Sequence, residues 1–187
     1  MRFREIFEGQ NTTPFTCLQA VTDIVGKENI SLDRNSIKPN QFLITSVDLD
    51  DKYNQIDKKD ASRMYPHQLA GKNKAIAFAA FSRRTDADNA PSPFFKDMPE
   101  LDEKPFSGTI TVPDINSRDA AHIASAVHEA YHAWIFSRSK AGNLYANEKM
   151  VNQLAEKWLK KHLSGIQLHA ALEVITHSRI SYGHNEE

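Results

Sequence analysis

The sequence predicts a single α+β domain, and three observations carry that reading. β-Branched and apolar residues concentrate in three short runs, 41–50 (QFLITSVDLD), 74–84 (KAIAFAAFSRR) and 107–112 (SGTITV), as in strands. Apolar residues at helical spacing dominate 119–138, 147–162 and 167–180. At 187 residues, 40% of them apolar, the chain is long enough for one sizeable core, and nothing in it requires two.

Lys and Arg number 23 against 24 Asp and Glu, a formal net charge of -1, so there is no overall basic field of the kind that drives nucleic-acid binding. The opening MRFREIFEGQ has no apolar run fit for a signal peptide, and no later stretch approaches a membrane span. The expectation is a cytoplasmic protein with neither membrane nor nucleic acid as partner. A single cysteine, Cys17, excludes an intramolecular disulfide framework and fits a reducing compartment.

Taken in order, residues 1–10 alternate charge with aromatics and open a short helix or an arm. Thr12 or Thr13 can cap a first helix with Pro14 in its opening turn, and Gly26 can end it. Phe15, Leu18, Val21, Ile24 and Val25 then form an apolar face, and Cys17 beside them reads as a packing thiol. Its functional alternatives, a nucleophile paired with a histidine or a thiolate capping a metal, have no local support. Residues 28–40 are polar and broken by Pro39, a loop. The strand at 41–50 ends near Asp48, Asp50 and Asp51, which lack the Gly and Glu spacing of a calcium loop and read as a solvated strand end. Residues 52–72 are charged and irregular. After the strand at 74–84, residues 85–105 carry four prolines and many acids, a long surface loop able to overhang a cleft.

Pro113 ends the strand at 107–112, and Asn116 or Ser117 can cap the next helix with Asp119 in its first turn. That helix, DAAHIASAVHEAYHAWIFSR, is free of Gly and Pro, and Ile123, Val127, Tyr131 and Trp134 mark its buried stripe. Gly142 and Asn143 turn the chain into a helix at 147–162 that buries Met150, Val151, Leu154 and Trp158. Lys157, Lys160 and Lys161 end it as a solvated face suited to the helix dipole. A last helix at 167–180 precedes a polar tail with Tyr182 and His184.

Inside the long helix, His128, Glu129, Ala130, Tyr131 and His132 spell H-E-x-x-H. Residues four apart stand one turn above each other, so His128 and His132 can present two imidazole nitrogens to one ion. Glu129 is rotated about 100° from His128, close enough to act as general base on a water without becoming a ligand. Two histidines alone do not complete a catalytic zinc site. Glu148 opens the following helix, and helices joined by a short connection lie close, so it can supply the third donor; Asn152, one turn on, can hydrogen-bond a ligand and orient it. Considered alone, Glu148 more commonly serves as a first-turn acid that stabilises the helix N-terminus.

The run GTITVP, a short loop, HEAYH and then LYANEKMVNQLA together resemble the zincin-like metallopeptidases of the gluzincin type. The pattern is most like that of the peptidase domains of plasmid and phage antirestriction and polyvalent proteins, whose second motif reads roughly Y-A-x-E-x-x-V-x-x-L. Tyr145, Ala146, Glu148, Val151 and Leu154 match it, and the resemblance covers about residues 107–160. Ala130 stands where a larger apolar residue is frequent, and Lys149 where an acid is frequent.

The resemblance implies one zincin-like domain over residues 1–187, a small mixed sheet packed on the H-E-x-x-H helix with a Glu-bearing helix after it. Residues 1–106 would supply the upper sheet and a helix, and residues 107–187 the metal-binding helical part. It implies zinc ligation by His128, His132 and Glu148, with Glu129 as general base. It also implies that Thr109, Ile110, Thr111 and Val112 form the sheet edge to which a peptide substrate adds as a further strand. An oxyanion donor is expected beyond the third ligand, where His177, Arg179, Tyr182 and His184 are available and His177 and Tyr182 are preferred. The implied activity is a zinc-dependent metalloendopeptidase acting on a protein or peptide, in a host cytoplasm or a virion. The alternative is a catalytically weak or inactive binding or inhibitory protein on the same scaffold, antirestriction-like or virion-associated, which would have no need of Glu129. A hydrolase of non-peptide amides is a further alternative, favoured by a blocked strand edge.

Overall fold

The structure, a computed structural model, describes residues 12–46, 78–83, 106–138 and 147–181. Among them the fold mixes α and β: four α-helices, α1 (Cys17–Val25), α2 (Ala120–Arg138), α3 (Glu148–His162) and α4 (Gly165–Ser181), with four strands, β1 (Ile30–Ser31), β2 (Phe42–Ser46), β3 (Phe78–Arg83) and β4 (Phe106–Val112). The predicted loops at 52–72 and 85–105, the turn around Gly142 and the tail with Tyr182 lie outside the described residues, as do Tyr145 and Ala146.

The strands form one mixed sheet in the order β1-β2-β4-β3. β2 runs parallel to β4 with Leu43 opposite Thr109 and Ser46 opposite Val112, while β3 runs antiparallel with Phe78 opposite Thr111 and Arg83 opposite Phe106. Thr109, Ile110 and Thr111 are therefore paired on both flanks, and the expectation that Thr109 to Val112 form the sheet edge is corrected. β3 takes that place, the outermost strand on its side among the described residues. Because β4 begins at residue 106 and sits inside the sheet, the two expected parts of the chain share one sheet.

α2 is the central element, touching α1, α3, α4, β3 and β4. Twelve of its nineteen residues are buried, so it is wrapped on most sides and lacks a single apolar stripe. The sequence makes this possible with Ala120, Ala124, Ala126, Ala130 and Ala133, whose small side chains let neighbouring elements approach closely. Ile123 and Val127 are fully buried as expected, while Tyr131 and Trp134 are only partly covered against the core.

Helix boundaries follow their caps. α1 starts later than the Pro14 expectation: Thr16 is its N-cap, with a reciprocal Thr16–Gln19 capping box, and Gly26 ends it at φ 96°. Cys17 is fully buried in that helix. Neither Asn116 nor Ser117 caps α2. Asp119 does, its carboxylate accepting from the N–H groups of Ala121 and His122 at 2.9 and 3.2 Å. The β4–α2 loop is strapped to the segment before α1, with Thr13 N–H on the Arg118 carbonyl at 2.8 Å and Cys17 N–H on that of Ser117 at 2.9 Å. α3 buries Val151, Asn152, Ala155, Trp158 and Leu159; Met150, expected inside, is exposed. The α3–α4 link is only Leu163 and Ser164, and Gly165 opens α4 at φ 55°, a left-handed conformation that suits glycine. No helix among the described residues is long and apolar enough to cross a membrane.

Candidate metal centre

Two elements build the site. α2 carries His128 and His132 one turn apart, and their rings meet edge to face with centroids 4.7 Å apart. α3 begins at Glu148, held in place by Asn147, whose side chain caps the helix by accepting from the Met150 N–H at 3.0 Å. Contact between α2 and α3 brings the three side chains together.

The convergence is tight. Nε2 of His128 lies 3.0 Å from Nε2 of His132, Oε2 of Glu148 lies 3.2 Å from His128 Nε2, and Oε1 lies 3.3 Å from His132 Nε2. Ligand atoms about 2.0–2.1 Å from a tetrahedral zinc stand about 3.3 Å from one another, so these separations fit three donors around one ion. His128 and His132 are 7% and 8% exposed, and Oε2 of Glu148 is buried without a hydrogen-bond partner. An orphaned buried carboxylate oxygen next to two imidazole nitrogens is a donor set arranged for a cation.

The electrostatics agree. Burial lowers the pKa of His128 below its ordinary 6.5 and keeps the ring neutral, the form that ligates. Burial pushes the Glu148 carboxyl upward, but the adjacent His128 and His132 outweigh it and hold the group below the usual carboxylate range. A neutral His128 beside an ionised Glu148 is the protonation state that ligation of a divalent ion requires of these two groups.

Glu129, the expected general base, is 5% exposed on α2, directly after His128. His177 is exposed on α4 and does not belong to the converging donors, so the structure leaves it outside the cluster; Tyr182 lies outside the described residues. Thr109, Ile110, Thr111 and Val112 are buried in the strand that touches α2. Sequence reasoning missed β3 as the outer strand, because its partner and direction are set by long-range pairing. It also missed the hydrogen bond from the Trp158 indole to Asp23, 2.7 Å long, which ties α3 to α1 and has no local sequence signal.

The chain matches no family model, no curated protein and no solved structure.

Proposed function

We propose that the chain is a zinc-dependent metalloendopeptidase of the zincin-like, gluzincin type. The observation that carries this reading is the convergence of His128, His132 and Glu148, with Nε2 and carboxylate atoms 3.0–3.3 Å apart, on a helix where the buried Glu129 directly follows His128. The expected resemblance and the mixed sheet beneath the helices support it further.

When bound, zinc supplies Lewis acidity, polarising the scissile carbonyl and making water acidic enough to attack near neutral pH. The chain's own residues do the rest. His128, His132 and Glu148 hold the ion. Glu129 takes a proton from the attacking water on its carboxylate and delivers it to the departing amine nitrogen. A polypeptide substrate adds as an extended strand to the outer edge of β3, with main-chain hydrogen bonds setting its register. His177 and Tyr182 remain the proposed oxyanion donors.

The covered flank of β4 favours a second reading, hydrolysis of a non-peptide amide, because the strand expected to receive a peptide is already paired on both sides. β3 offers a replacement edge, which keeps the peptidase reading ahead. A non-catalytic binding module on this scaffold would have no use for a buried Glu129 beside the triad.

Elemental analysis of the wild type beside His128→Ala and Glu148→Ala tests the centre, with about one zinc per chain expected in the wild type and loss in both variants. A screen with unstructured protein and with small amides then separates the two hydrolase readings. Absence of zinc from reconstituted wild type would sink both.

A further inference from the structure

Five buried side-chain polar atoms among the described residues lack a hydrogen-bond partner, and four of them belong to His128, Glu148 and Asn152 around the candidate metal centre. The fifth stands apart. It is Nε2 of His162, the last residue of α3, at the opposite end of that helix from Glu148. The ring is held on two sides: one face stacks on Trp158 at 4.4 Å between centroids and 25° between planes, and Phe15 meets it edge to face at 5.3 Å and 89°. Buried polar atoms are paired as a rule, so a fixed imidazole with a stranded nitrogen calls for a physical cause.

The oxygen that faces Nε2 is Oδ2 of Asp23 on α1, 3.9 Å away, within reach of an ion pair and too long for a hydrogen bond. The same Oδ2 accepts from the Trp158 indole N–H at 2.7 Å, so Asp23 is already anchored to α3 in front of the ring. Other titratable groups on the elements around it are few. On α3, Lys160 and Lys161 share the last turn and oppose a positive ring, although Lys160 is drawn to Glu156 at 2.6 Å. α2 contributes Tyr131, an uncharged phenol in the field of Asp23. α4 contributes His169, exposed and paired with Glu173. Against the lysines and partial burial stand the Asp23 carboxylate, the electron-rich face of the Trp158 indole and the negative end of the helix dipole, all of which attract an imidazolium.

We propose that His162 and Asp23 form a pH-responsive clasp between α3 and α1: on protonation of the ring, Nε2–H donates to Oδ2 of Asp23, and α3 gains a second bond to α1 beside that of Trp158. Histidine is the side chain that ordinarily changes charge between about pH 5 and pH 8, a range in which exposed carboxylates stay ionised. Above that range the ring is neutral, Nε2 is left unpaired, and the Trp158 bond alone ties the two helices. The clasp does not rest on the metal reading, since neither residue is among the converging donors. Its sign is also opposite: acid tightens this end of α3, while it weakens the buried cluster at the other.

The test is a double-mutant cycle of urea unfolding on the full, chelator-treated chain, with Asp23→Asn, His162→Gln and the two combined, at about pH 8.5 and about pH 5.5. Asn keeps an acceptor for the Trp158 indole, and the cycle cancels the contributions of distant groups such as His128 and Glu148. Expressed as a factor in the unfolding constant, the coupling should be close to one at the higher pH and about two- to fivefold at the lower, the range of a partly exposed ion pair. A factor that rises less than about 1.5-fold on acidification, or falls, overturns the clasp, being below what such a pair contributes. Should a variant not fold, the wild type decides by proton–nitrogen NMR of its imidazoles at the lower pH. A doubly protonated His162 whose Nε2–H exchanges slowly with solvent supports the clasp, and a neutral ring or a freely exchanging proton overturns it.

Discussion

At the scale of single residues, the roles of Glu129 and Cys17 separate cleanly by experiment. Glu129 is buried on α2 directly after His128 and is not one of the converging donors, so on the proposed mechanism Glu129→Gln should keep zinc at wild-type content while lowering kcat by about 10²–10⁴-fold, the usual contribution of a positioned general base. Loss of zinc in that variant would make Glu129 a ligand or a structural group. Cys17 is the opposite case. Burial, with Asp114 adding to it, pushes its thiol up from 9.0 to about 12. At pH 8 the native thiolate fraction is then about a thousandfold below that of the unfolded chain, and alkylation by iodoacetamide should slow at least in that proportion. Rapid modification of native protein would contradict the packing reading. These assignments were legible in the sequence because they depend on short-range spacing: the i, i+4 pair of His128 and His132 lies on one helix by geometry alone. Glu148 needed more, since nothing in its first-turn position distinguishes a ligand from a dipole-stabilising acid. Only the packing of α3 on α2 brings it to the two histidines.

At the scale of elements, the proposed third ligand depends on a helix start. Glu148 is the first residue of α3, and Asn147 satisfies the Met150 N–H above it. Asn147→Ala should therefore cost about 1 kcal/mol of metal-free stability in urea denaturation, as N-cap removals do. Because the frayed turn carries a ligand, zinc affinity should fall in the same variant, whereas a cap removed from α1 by Thr16→Ala should lower stability alone. Equal zinc affinity in the two cap variants would mean that the start of α3 is held by packing and the cap is incidental. The same elements mark where sequence reading stopped. β2 and β4 were recognisable as strands from Leu43, Ile44, Ile110 and Val112, and α2 from its long run without Gly or Pro. Their neighbours were not recognisable. Whether β4 lies at an edge or inside a sheet is decided by β3, which joins it in antiparallel register from more than twenty residues away in sequence, and the apolar run at 106–112 is compatible with either position. Caps failed in a milder way: Ser117 and Asp119 are both good capping residues, and it is Asp119 whose carboxylate accepts from the first N–H groups of α2, while the loop before it is tied by the Arg118 and Ser117 carbonyls to Thr13 and Cys17.

At the scale of the whole molecule, the fold carries a polar cluster in its core, and this shapes stability against pH and metal together. His128, Glu129, His132 and Asn152 are all buried among the apolar residues of α2 and α3, and Glu148 is nearly so. For His128 the folded pKa lies below the ordinary 6.5, so the unfolded chain takes up the proton first as pH falls. Its contribution to stability is present above about pH 6.5 and is lost as pH drops below that value. Glu148, also held below its ordinary 4.5, contributes above that pH and loses its contribution in more acid solution. Metal-free protein should accordingly weaken in two successive steps on acidification, histidine before carboxylate. Zinc acts on the same groups. A ligand that binds only the folded state adds about 2.7 kcal/mol at a hundred times its Kd and about 4.1 kcal/mol at a thousand times. For a chain of this size each kcal/mol is worth about 2–4 °C in Tm, which predicts a shift of about 8–16 °C at the higher excess. Since the ligands bind only when unprotonated, that shift should be greatest near pH 8 and should shrink towards nothing near pH 5. Differential scanning calorimetry of zinc-loaded and chelator-treated protein across this range measures it, with His128→Ala as the control that should show no zinc shift at any pH. A zinc shift of the same size at pH 5 and pH 8, or one that survives in His128→Ala, would mean that the metal stabilises the chain elsewhere and that the buried cluster is a hydrogen-bonded core without a bound ion.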